Sequence, residues 1–157
     1  MQPINYFFAS LSSFLGLLIG IILVKIAPEE QKSLGKYFFS LKRLFLFFIF
    51  IFLALYYFNS GIYLFMLIML FAVSLFIELK IRNLPKKSAI TYAILGILFF
   101  LSSKNTNLLA IESSIVLLYG AATASLEFSK KKPYKTLFYS AAFIIISNLL
   151  FFTISHF

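Results

Sequence analysis

From Leu44 to Ile77 the chain runs 34 residues without a charged side chain. A helix crosses the hydrocarbon core of a bilayer with about 20 apolar residues, so the run is too long for one crossing. Asn59-Ser60-Gly61 interrupts it with a turn signal. The run therefore predicts two spans joined by a tight hairpin. Composition agrees. Of 157 residues, 62% are hydrophobic and 12% charged, whereas soluble domains carry about a quarter charged residues. A soluble globule, a disordered chain and a disulfide scaffold are all excluded.

The same hydropathy test predicts an all-α, polytopic transmembrane helix bundle. It has six spans, at about 5–26, 40–58, 61–79, 87–103, 108–128 and 135–155, forming one integral membrane domain over 1–157. The fourth span is the least apolar. No basic residue precedes Lys25, so the first span lacks the basic n-region of a cleaved signal and is expected to be a permanent helix.

Charge placement supports six spans. Thirteen of the fourteen basic residues fall in or beside the first, third and fifth connections, and Lys104 alone lies opposite. By the positive-inside rule both termini are extracytoplasmic and the three spans-pairs form hairpins with cytoplasmic basic turns. Each basic turn begins after a glutamate and closes with Gly or Pro near a lysine, a pattern consistent either with a triplicated hairpin or with short hairpins in general. A reporter fused after Phe157 is expected to behave as extracytoplasmic, and a cytoplasmic signal would overturn the six-span topology. With no Trp in the chain, tyrosines are expected to form the interfacial belt, Tyr6, Tyr56, Tyr57 and Tyr63 outside and Tyr37, Tyr134 and Tyr139 inside.

The missing residue types remove whole classes of chemistry. There is no Asp and no Cys, and the one His is His156. An aspartyl dyad, a thiol nucleophile, a thiolate metal site and a Ser-His-Asp triad cannot be built from one chain. No enzymatic activity, cofactor or metal is expected. The net charge of +9 lies in juxtamembrane turns, where attraction to anionic headgroups explains it better than nucleic acid does. Lys130, Lys131 and Lys132 are candidates for contact with headgroups or a partner.

Small residues mark where helices meet closely. Gly16 and Gly20 form a GxxxG, and Gly120 and Ala124 a second small-xxx-small pair. Packing within the chain or self-association would both use them. The bulky stretch Leu44–Phe58, with Ala54 as its one small residue, is expected at the lipid-facing edge. Glu112 is the acidic residue set apart from the basic turns. With Tyr119, Thr123 and Glu127 it falls within roughly 80° of arc on one helix face, and Asn148 is a mid-span polar group on the last helix. The five residues form a candidate polar path for a cation or a proton. In the competing reading Glu112 snorkels outward to pair with Lys104, and Glu78 lies at the interface, neutralised by Lys80.

The turn Ala27-Pro28-Glu29-Glu30, followed by Gly35-Lys36-Tyr37-Phe38 and a bulky apolar helix, resembles a pattern in small multi-pass membrane proteins of archaea to which no activity is assigned. The resemblance implies a location in the cell membrane and nothing about substrate. The expected function is a small-solute or ion permeation module. The alternatives are a helical subunit or scaffold of a larger membrane complex and, more remotely, a lipid-modifying enzyme using Glu29 and Glu30. Membrane lipids, a homo-oligomer or a larger complex are the expected partners.

Overall fold

A computed structural model of the chain describes residues 2–81, 84–127 and 133–155. The described residues are helical throughout, with no strand: α1 (Pro3–Ile26), α2 (Pro28–Tyr56), α3 (Gly61–Lys80), α4 (Leu84–Ser102), α5 (Thr106–Glu127), α6 (Pro133–Ser140) and α7 (Ala142–Ser155). Pro3 and Pro28 each open a helix, where a fixed φ fits and no N–H is missed. Pro28 also drives Ala27 out of the helical region, to φ −129° and ψ 65°. That one residue is the whole connection between α1 and α2.

Two expected boundaries therefore change. The first basic segment is not a loop. It forms the beginning of α2, which runs for 29 residues, because Glu, Gln, Lys and Leu are good helix formers and one glycine at position 35 costs only about 1 kcal/mol. The last span is divided at Ala141, whose N–H is shared between the carbonyls of Leu137 at 3.2 Å and Phe138 at 3.3 Å. Such sharing tightens a single turn without ending the helical course.

Four segments are long and apolar enough to cross a membrane: α1, Ser33–Tyr56 of α2, α3, and Thr106–Leu126 of α5, while Leu137–Thr153 is a shorter apolar helix. α5 is central. It packs on α1 and α2 most extensively and touches α4. The reason is the small-residue stripe. A Cβ on Gly16 would overlap the Leu117 carbonyl, one on Gly20 would lie 2.5 Å from the Ala121 oxygen and 2.6 Å from the Ala124 Cβ, and one on Gly120 would lie 3.0 Å from the Leu17 nitrogen. The two backbones touch, with residue numbers rising together, so α1 and α5 run parallel. In lipid, where burial of apolar surface gives no drive, such contact is a principal source of association.

α2 departs from the expected lipid-facing edge. Leu46, Ile49, Phe50 and Leu53 are buried along one face of it, with Tyr57 buried just past its end, against α5 and α4. Bulky residues all round do not exclude a buried face, because α5 presents small side chains that accommodate large ones. The peripheral helix is α3, with 17% of its apolar window buried against 56% for α5. Tyr6 also leaves the expected belt. It is fully buried, stacks on Phe151 with centroids 4.1 Å apart, and donates to the Ser147 carbonyl at 3.3 Å. Tyr57 donates to the Leu101 carbonyl at 2.8 Å, tying two turns at the same end. Tyr37 and Tyr139 are exposed.

Candidate functional site

Asn105 starts α5. Its Oδ1 accepts from the backbone N–H of Asn107 at 2.9 Å and of Leu108 at 3.2 Å, an N-cap that fixes where the helix begins. Seven residues on, about 10 Å deeper, Glu112 points into the bundle with 0% exposure. Neither of its carboxyl oxygens has a hydrogen-bond partner among the described residues. Lys104 does not reach it. The Lys104 ammonium instead donates to the Tyr63 hydroxyl at 3.0 Å and lies 4.5 Å from that ring's centre. Lys104 sits in the exposed turn before α5, whereas Glu112 faces the interior, so outward snorkelling does not occur.

The α1–α5 register puts Ser10 level with Glu112. Ser10 accepts from the Asn148 amide nitrogen at 2.9 Å, and that nitrogen also reaches the Ile144 carbonyl at 2.9 Å. The Asn148 Oδ1 has no partner among the described residues. Asn148 thus sits in a polar layer with α1, on the other side of α5 from the Glu112 stripe. Tyr119 and Thr123 continue that stripe toward the other end of the helix, both buried, within about 40° of Glu112. Glu127 closes α5, but its side chain lies outside the described residues, as do Lys130, Lys131 and Lys132.

Four further side chains extend the stripe. The Tyr92 ring of α4 meets Tyr119 edge-on, centroids 5.8 Å apart. The Lys42 ammonium of α2 lies 5.7 Å from the centre of the Tyr119 ring and 3.7 Å from the Glu78 carboxylate of α3. Glu78 also pairs with Lys87 of α4, whose ammonium donates to the Glu78 backbone carbonyl at 3.1 Å. Lys80, expected to neutralise Glu78, lies over the Phe76 ring at 5.0 Å instead. The interior therefore carries a ladder of polar groups: Glu112, Tyr119 with Tyr92, Lys42, Glu78, Lys87. It begins two turns inside one end of the bundle and finishes at the other.

Lys42, Glu78, Lys87 and Tyr92 are absent from the polar path expected from sequence. A signal for Lys42 exists. Lys42, Leu46, Ile49 and Leu53 recur at spacings of 4, 3 and 4, which is one helix face, and that face is buried. Arg43 is one step round and exposed. The bulk of α2 on every side hides which face is inward. No family model, curated protein or solved structure matches this chain.

Proposed function

We propose that the chain is a six-span protein of the cell membrane that conducts protons, or a small solute coupled to them, along the ladder from Glu112 to Glu78, without enzymatic chemistry. The carrying observation is the Glu112 carboxyl, buried on a spanning helix with no hydrogen-bond partner among the described residues. An ionisable group inside a membrane is expensive and marks an ion or proton pathway. Lys42 and Lys87 on the same route repel a metal cation, which favours the proton over other ions.

The low apolarity of α4 is consistent with a crossing. Ser88, Thr91 and Tyr92 are buried among its neighbours, so they do not meet lipid. α6 and α7 together supply the sixth span, and the basic turns then lie on the cytoplasmic side. The subunit reading has less support, because Gly16, Gly20 and the inner face of α2 are all covered within the chain. Association of several copies would use the outer side of α3.

The test is proton flux into proteoliposomes, driven by a potassium diffusion potential and followed with a trapped pH dye. Wild-type protein is expected to exceed empty vesicles. Glu112→Gln should fold normally and return the flux to the empty-vesicle rate, whereas Ser114→Ala, on the exposed side of α5, should not change it. Flux that survives in Glu112→Gln, or no flux in the wild type, removes the proposal.

A further inference from the structure

α2 and α3 meet at their shared turn, where the Tyr57 and Tyr63 rings lie 4.8 Å apart, and again near their other ends, where Lys42 pairs with Glu78. The gap between them is a groove in two sections. The part nearer the turn, about 160 Å³, reaches Ala54 and Leu67. The part nearer the basic end, about 300 Å³, reaches Leu46, Leu75, Arg43 and Glu78. Phe47 and Phe71 line both sections, so the two adjoin at these rings. From Ala54 to Arg43 is eleven residues, about 16 Å of helix, which is close to half of the roughly 30 Å hydrocarbon core.

The groove is thus apolar for the depth of one leaflet and basic at its mouth. Lys42 and Lys87 are engaged with Glu78. Arg43 is not. It is exposed, its guanidinium lies 4.1 Å from the centre of the Phe39 ring, and it forms no ion pair among the described residues. Stacking on an aromatic face holds a guanidinium in one plane while leaving its N–H fork free, the arrangement suited to a phosphate. Lys80, two residues beyond Glu78, adds to the positive balance. We infer that this groove binds one anionic phospholipid from the basic-side leaflet, an acyl chain between α2 and α3 and the phosphate on Arg43. This rests on the membrane-spanning reading and not on proton conduction.

The experiment is native mass spectrometry of the full chain in mild detergent with phosphatidylglycerol or phosphatidylcholine added. Wild-type protein is expected to retain phosphatidylglycerol about tenfold better, the size of one charge-assisted contact. Arg43→Gln should abolish that preference with no change in melting temperature in phosphatidylcholine. Ala54→Phe, which fills the far part of the groove, should weaken retention of both lipids. Equal retention of the two lipids by the wild type, a preference that survives Arg43→Gln, or competition by glycerol phosphate at matched concentration would overturn the inference. So would efficient disulfide dimerisation of Ala54→Cys in membranes, since the chain has no other cysteine and a second copy would then occupy the groove.

Discussion

Gly16→Leu is expected to lower the melting temperature of the purified protein by about 10 °C, a loss of about 3 kcal/mol or more. Any Cβ at this position overlaps the Leu117 carbonyl. The obstructing atom is backbone, so no rotamer change relieves it, and α1 must move away from α5 along the whole contact. Gly20 and Gly120 lose their close approach at the same time. Gly35 is the control. It lies in a helix with nothing within 4 Å of its missing Cβ, so Gly35→Ala should stabilise by about 0.5–1 kcal/mol through backbone entropy. Thermal unfolding in detergent reads both. Equal melting temperatures for Gly16→Leu and the wild type would mean that α1 and α5 are not in backbone contact.

Glu78→Ala should be nearly as damaging, at about 3 kcal/mol. Glu78 stands between two buried ammonium groups, and its removal takes away the carboxylate that both of them contact. Lys42→Met should cost less, because Glu78 keeps Lys87. Replacing all three with Met, Leu and Met should recover most of the loss, since a buried ion cluster exchanged for packed apolar groups is often neutral or better. The triple variant is expected to regain its melting temperature but not its proton flux. A Glu78→Ala protein as stable as the wild type would show that the cluster is open to water.

Hydropathy and charge exposed much of the architecture because lipid imposes length and polarity limits that act on each segment alone. The four long apolar helices of the structure fall where uncharged runs lie between basic turns. Gly16, Gly20, Gly120 and Ala124 also stand out, since small residues at a spacing of four make a flat helix face in any context. The faces of α2 and α3 were hidden. Both helices are bulky and apolar on most sides, and the weak local marks, the 4-3-4 spacing from Lys42 to Leu53 and the polar Ser74 and Glu78, do not by themselves separate the inward side from the lipid side. The same uncertainty concealed Lys42, which the boundary of the uncharged run places at an interface but which α5 covers.

Glu112 illustrates the division most clearly. Its isolation from the basic turns is legible in the chain, but a span begun at Leu108 puts it one turn deep, and the Asn105 cap sets it nearly two turns inside α5. Whether it reached Lys104 depended on which way its face turned. That rotation is set by the glycine contact with α1, which points Leu117, Ala121 and Ala124 at one neighbour and so turns Glu112, Tyr119 and Thr123 toward another. Local composition alone determined an all-helical chain with helices long and apolar enough to cross a membrane, and the residues able to approach closely. Tertiary packing decided that α5 is central, that α3 is peripheral, and that charges from α2, α3 and α4 meet at one end. The physical reason is that span formation depends on each segment's own transfer into lipid, whereas burial of a given face depends on the shape of a partner distant in sequence.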